Sequence, residues 1–423
     1  MNLFKRISAL FFGGLLCTNV VYAEQITLKI MSTTIVEKPE GEVEQNFADE
    51  FMKRNPNIKI EFIGTPMNSL YAKLQTVAIG GELPDIFTNT PEFAAKSREM
   101  GITADLESLF DKSYIQGFYP SILDQTSIDG KLEVFPFFTI PMGMLYRADW
   151  FKEEGIEKIE NWDDFVRAAR KLTKDTNGDG KVDRWGFAMV GSRNGSGGGR
   201  FAQILRSFGA YELTKRNGEW QTDIDSSESR EAFKFFTELY TKHAVVPPGP
   251  TEVSYGEAIS LMASGKTAMM ITGPHSIGAI LAQNPELAGK IHSDVIPKGS
   301  KNVSNLSIGG FSIASTSKHK DAAAKYLKFI VDTEQGLEWN RVTGRMPSRI
   351  EAGSQPQISG PIYEGFVSAL EYVEPLPTSA PFYSQITSDI LGEAYQSILV
   401  GGVSVKDATD YAAERIRELI DEN

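Results

Sequence analysis

Four oxygen-bearing side chains in one short segment, Asp175, Asn177, Asp179 and Asp183, stand at the first, third, fifth and ninth positions of a calcium-type loop. Gly180 fills the sixth, where such loops turn sharply. The twelfth position, which normally supplies a bidentate Glu, is Gly186. A distant carboxylate could complete the set, so the segment reads either as a structural calcium site or as a tight turn between helix and strand. Other chemistries fail on spacing. Gly265-Lys266-Thr267 resembles the tail of a phosphate-binding loop, but Ser260 occupies the earlier glycine position and a strand follows. The glycine-rich run 195–199 misses the dinucleotide fingerprint because Arg200 stands at its last glycine. That run still lies between a strand and a helix, where its amides could meet an anion or a hydroxyl-rich ligand. There is no Gly-x-Ser-x-Gly elbow, Cys17 is the one cysteine, and His243, His275, His292 and His319 lack metal-ligand spacing. Carboxylates abound, yet sequence alone cannot pair two of them across a cleft for glycoside hydrolysis.

The elements that must position such groups alternate between two periods. Ile26, Leu28 and Ile30 predict a half-buried strand; Val43, Phe47 and Phe51 predict a helix stopped by Asn55-Pro56-Asn57; Ile58, Ile60 and Phe62 predict a second strand. That order implies a parallel pair with a crossover helix. A helix with Leu70, Leu74 and Val77 leads to a short strand at Ile86-Phe87, ending in Thr88, Asn89 and Thr90. Ligands collect where such strands end. Farther on, Asn161 caps a helix carrying Phe165, Ala169 and Leu172, a strand is expected at 185–190, and 192–199 reads as a loop before a helix with Phe201 and Leu205. Further helices are marked by Phe233 and Phe236, by Ala258 and Met262, by Tyr326 and Leu327, by Leu337 and Arg341, and by an amphipathic stretch at 405–420.

The first residues carry an address. Lys5 and Arg6 precede the apolar run 7–16, and Val21-Tyr22-Ala23 offers a cut site, so 1–23 is expected to be a secretory signal peptide. Leu16 before Cys17 argues against lipid anchoring. Excess acidity, with a formal net charge of −12, disfavours nucleic-acid and anionic-membrane binding. A chain of 423 residues exceeds the usual size of one core, so two lobes are expected.

Several segments together, "FADEFMKRNPNIKIEF", "LQTVAIGGELPDIF", "ENWDDFVRAARKLTKDTNGDGKVDRWGFAM", "LMASGKTAMMITGPHS" and "WNRVTGRMPSR", resemble the extracellular solute-binding proteins of bacterial ABC importers. The branch is the one that includes the maltose-binding and glycerol-3-phosphate-binding proteins. The resemblance runs the length of the mature chain. It implies an α/β fold of periplasmic binding protein type II, with two α/β lobes, a hinge and an interlobe ligand cleft. Lobe 1 is expected at 24–136 plus 273–317 and lobe 2 at 137–272 plus 318–423, with crossings near 135–142, 272–275 and 315–320. It also implies a periplasmic monomer that captures a mono- or oligosaccharide, passes it to permease subunits with their ATPase, and catalyses nothing.

Carried over by position, the family's cleft contacts fall on Tyr71, on Asn89 and Glu92, on Phe138 and Thr139, on His275, on Gly309, Gly310 and Phe311, and on Arg345. Where relatives stack tryptophan on sugar, this chain has His275 and, near 190, Arg193 and Arg200, leaving Tyr71, Phe138, Phe311, Phe382 and Tyr383 as aromatic platforms. The same arginines raise an alternative, an anionic sugar, sugar phosphate or sulfonate, with Arg345 the foremost candidate grip. A secreted carbohydrate-active enzyme is the reading from another class.

Overall fold

The computed structural model describes residues 25–423, so the expected leader and Cys17 lie outside the described residues. Leu28 and Ile30 are fully buried along the strand Ile26–Ser32, and Ile58–Gly64 pairs with it in parallel, Ile26 opposite Ile58. Parallel pairing requires a crossover, supplied by the helix Glu40–Arg54. That helix buries Val43, Phe47 and Phe51, and places Glu40 and Glu42 in its first turn and Lys53 and Arg54 in its last, as its dipole favours. The Asn55 amide closes it by donating to the Phe51 carbonyl at 2.9 Å.

Two sheets result. The first runs in the order Met346–Pro347, Phe135–Pro141, Ser304–Ile313, Ile86–Asn89, Ile26–Ser32, Ile58–Gly64, with Val373–Glu374 added beside Ser304–Ile313. The second runs Ile291–Asp294, Gly143–Arg147, Thr267–Thr272, Trp185–Phe187. Each sheet is covered by its own helices, giving the two α/β lobes expected.

The crossings differ from expectation in two of three places. The first falls where Phe135–Pro141 in one sheet gives way to Gly143–Arg147 in the other. No crossing follows Thr272; the chain enters the helix His275–Gln283, whose Ile277 and Ile280 pack with Leu145 and Val190 of the second lobe. The chain returns between Asp294 and Ser304. Nor does it leave near 315–320, because the helices Lys320–Ile330 and Thr333–Thr343 bury Tyr326, Leu327 and Trp339 against Phe47, Phe51 and Phe137 of the first lobe. The last passage is a seam. Phe366 packs into the second lobe, Leu370 into the first, and Ala380 onward into the second again. An apolar stripe says that a face is buried, not which sheet buries it.

The expected loop at 192–199 is mostly helix. Asn194 caps Gly195–Ser207, its side chain accepting from the amides of Ser196 and Gly197 at 3.0 Å. Glycine there serves close approach: a Cβ on Gly198 would collide with the Thr387 carbonyl, and one on Gly197 with the Ser192 carbonyl. From the same helix the fully buried Gln203 reaches across the return, donating to the Val303 carbonyl at 2.9 Å and accepting from the Asn305 amide at 2.6 Å. The strand expected at 185–190 is confined to Trp185–Phe187.

Candidate ligand-binding cleft

A cavity of about 180 Å³ opens where the strands Ile26–Ser32 and Ile86–Asn89 end. Thr33, Thr34, Thr88 and Thr90 line it from those strand ends, Phe137, Phe138 and Ile140 from the first crossing, and Gly309, Gly310 and Phe311 from the neighbouring strand. The last two segments lie so close that glycine is required: a Cβ on Gly309 would strike the Phe138 ring, and one on Gly310 would come 2.6 Å from the Phe135 carbonyl oxygen. A register shift between these glycines bends the strand at the cavity floor.

Beneath the floor, buried Glu44 accepts hydrogen bonds from Ser32 Oγ at 2.8 Å and Thr34 Oγ1 at 2.7 Å. Burial outweighs these bonds and pushes its carboxyl up to about 7. The folded state therefore holds this proton more tightly than the unfolded chain between pH 4.5 and 7. The resulting stability is complete below that window and is lost as pH rises through it, a swing on the order of 3 kcal/mol. Glu44→Gln should remove that part of the slope; a denaturation-versus-pH profile unchanged by the substitution would refute the assignment.

Arg345 closes one side. Its Nη2 pairs with Glu37 at 3.1 Å and Glu40 at 3.0 Å, and its guanidinium lies 4.7 Å over the Phe138 ring. Gly344 ends the preceding helix in the left-handed conformation, with φ of 71°, where a side chain would be strained. A Cβ there would also approach within 2.8 Å of His275 Cα, so this first-lobe loop touches the second lobe.

The second lobe adjoins this site at the end of Thr267–Thr272, where Thr272 pairs with Gly143 and a Cβ on Gly273 would meet the Ile140 side chain. Arg200 Nε donates to the Ile271 carbonyl at 3.0 Å and Nη2 to Thr272 Oγ1 at 3.2 Å, while Nη1 reaches Ser196. Its guanidinium sits 5.0 Å over the Tyr255 ring, and that ring lies 5.5 Å from His275. Burial, then the charges of Arg200 and Arg345, hold the His275 imidazole down to about 4, so it is neutral at pH 7. Its Nδ1 is buried with no hydrogen-bond partner.

Of the residues carried over from the resemblance, Phe138, Gly309, Gly310, Phe311 and Arg345 come together around the cavity. His275 lies outside the lining, against the first-lobe loop at Gly344. Others do not line it. Asn89 is fully buried, its Nδ2 donating to Ser97 and Ser312 Oγ at 2.9 Å, which makes it an internal clamp. Thr139 is fully buried and does not appear in the lining, although its neighbours Phe138 and Ile140 do. Tyr71 stacks on Phe93 at 4.1 Å and reaches the site only through its hydroxyl, 2.6 Å from Thr90 Oγ1. Glu92 lies in the first turn of Pro91–Glu99, outside the lining. Phe382 and Tyr383 are core residues of the second lobe, and Arg193 is bound to Asp389 and Glu393. Thr33, Thr34 and Glu37 were missed, although Ser32-Thr33-Thr34 ends a strand where ligands gather.

The calcium-type segment turns its oxygens inward. Asp175 accepts from the amides of Gly178 and Gly180 at 2.7 Å, and Asp183 from Thr176 N and Oγ1 at 2.9 Å. Among the described residues no group of three or more His, Cys, Asp or Glu converges as a metal set. These bonds fit the tight-turn reading of the segment. Chelator should leave the melting temperature unchanged, while Asp183→Ala should lower it by loosening the loop; a chelator-induced drop would reinstate calcium.

Two hinged lobes around a hydroxyl-lined cleft define a receptor architecture. A profile of the bacterial extracellular solute-binding protein family matches residues 37–336, and the chain belongs to that family. It is a binding protein, not an enzyme, and acts outside the cytoplasmic membrane. It is 24% identical over 345 residues to a maltotriose-binding protein of Pyrococcus abyssi, covering 80% of this chain and 71% of the relative. A lactose-binding protein of Rhizobium radiobacter is 23% identical over 339 residues, covering 76% and 74%. A sugar-binding protein of Xanthomonas citri shares the fold with a TM-score of 0.75 at 19% identity, over 94% of this chain and 98% of that one.

Proposed function

We propose that this chain is the sugar-capturing subunit of an ABC importer, exported by its first 23 residues to the periplasm, where it works as a monomer and delivers its ligand to permease subunits with their ATPase. The observation that carries the reading is the pairing, in one cavity, of apolar surface from Phe137, Phe138 and Ile140 with a rim of threonine hydroxyls and the carboxylate of Glu37. A sugar presents C–H faces to the first and hydroxyls to the second. The names of the Pyrococcus and Rhizobium relatives support it. A cavity of about 180 Å³ suits a monosaccharide or one end of a longer chain, being smaller than the roughly 300–1,000 Å³ of sites for larger ligands.

Segmented crossings at 141–143, at 294–304 and along the seam permit lobe closure with few backbone changes, and ligand would shift the population toward the closed state. A thermal-shift screen over sugars tests the reading, since ligand at 100 times its Kd adds about 2.7 kcal/mol. Small-angle scattering with the active sugar should then show a smaller radius of gyration. Absence of stabilisation by any sugar sinks the proposal; an unchanged radius at saturation sinks closure.

A further inference from the structure

Arg200 differs from the charged groups around it. Arg345 faces Glu37 and Glu40, Arg193 faces Asp389 and Glu393, and Arg206 faces Glu212. Arg200 makes no ion pair among the described residues; its donors go to two main-chain carbonyls and two hydroxyls. Neutral acceptors orient a guanidinium without cancelling its charge. A partly buried positive charge is costly to keep unless something negative meets it. This one is also fixed in place, stacked over Tyr255 and tied to the end of a strand that abuts the first crossing.

The groups beside it fit the same visitor. Tyr255 and Thr272 both contact Ser276 Oγ, so this part of the second lobe is a connected polar network. His275 adds a buried Nδ1 with nothing to bond. Across the cleft the pattern inverts: the two carboxylates on Arg345 leave that wall without spare positive charge, and Glu37 with the threonines accepts and donates to hydroxyls. The ligand this arrangement fits has hydroxyls at one end and an anion at the other.

Resting on the sugar reading above, we propose that the ligand is an acidic sugar whose carboxylate, phosphate or sulfonate binds the second lobe at Arg200 and His275, while its hydroxyls bind the first lobe. Ligand charge then bridges the lobes, and Arg200, not Arg345, is the residue that selects for it.

The test is calorimetric titration of the mature protein with sets of matched sugars, each a neutral hexose beside its uronic acid, its 6-phosphate and its 6-sulfonate. One acidic member should bind at least ten-fold tighter than its neutral parent, and which one identifies the anion. Arg200→Gln should erase that preference by weakening the acidic member at least ten-fold more than its neutral parent, and Arg200→Lys should keep part of it. A neutral sugar binding as tightly as its acidic partners, or a preference that survives Arg200→Gln, overturns the inference and leaves the sugar reading intact. Should Arg200→Gln fail to fold, the wild-type comparison and Arg200→Lys still decide. Failure of every sugar, neutral and acidic, overturns both.

Discussion

Glu212→Ala should cost about 3–5 kcal/mol, more than any other single ion-pair change among the described residues, because it would strand a buried cation. Arg206 and Glu212 are 1% and 0% exposed and meet at 2.7 Å. Burial alone would depress the guanidinium's proton affinity, and the Glu212 carboxylate with neighbouring groups reverses this, raising it above the ordinary arginine value. Tyr383 donates to the same carboxylate at 2.8 Å, and Arg206 Nη1 donates to the Pro375 carbonyl at 3.2 Å. Removing the arginine's partner is the damaging step; replacing both members with apolar residues of similar volume is close to neutral in comparable cases. Arg206→Met with Glu212→Leu should therefore recover most of the loss in denaturant titrations. If the single change costs under about 1 kcal/mol, the pair is not the uncompensated-charge case described. The network also matters to the hinge. Pro375 lies in the seam, and the adjacent Glu374 is held by Lys301 and by Tyr211 at 3.0 Å, so a loosened pair should also soften closure.

Local pattern made much of this fold legible. The strand, helix and strand from Ile26 to Gly64 were visible because a half-buried strand and a one-faced helix impose different periods, and Asn161 announced its helix by cap chemistry. Lobe membership was not visible in the same way. Tyr326 and Trp339 could have packed against either sheet, and only the long-range pairing of Ser304–Ile313 with Ile86–Asn89 decides for the first. In the cleft, the family resemblance pointed to Phe138, Gly309 and Arg345 but could not assign charge partners. Glu37 and Glu40 lie more than 300 positions before Arg345, and no sequence pattern reports that distant encounter. Arg193 and Arg200 look alike in the chain; three-dimensional neighbours give the first two carboxylates and the second none. The glycines at 197 and 198 read as loop because glycine usually marks turns, whereas here Gly198 lets the helix backbone press against Thr387 and Gly197 against Ser192.

Arg345→Ala should weaken the ligand by roughly ten- to a hundred-fold whatever the ligand's charge, the range expected when a partly buried charged contact worth about 1.5–3 kcal/mol is removed. The side chain is 15% exposed and does three things at once: it neutralises Glu37 and Glu40, covers the Phe138 ring, and presents a buried Nη1 that lacks a partner. Truncation would leave two carboxylates facing each other at the mouth of the cavity, with Glu40 only 10% exposed, so stability should fall as well. Arg345→Lys should restore part of the stability by returning the charge, but less of the affinity, because an ammonium neither lies flat on Phe138 nor reaches both carboxylates with a planar fork. The contrast with Arg200 is the informative part. If Arg200 selects the anion, its loss weakens acidic ligands far more than neutral ones, whereas loss of Arg345 weakens neutral sugars too. Calorimetry on both variants with one neutral and one acidic sugar separates the two roles. Wild-type melting and binding in Arg345→Ala would make the residue a bystander and remove that loop from the cleft.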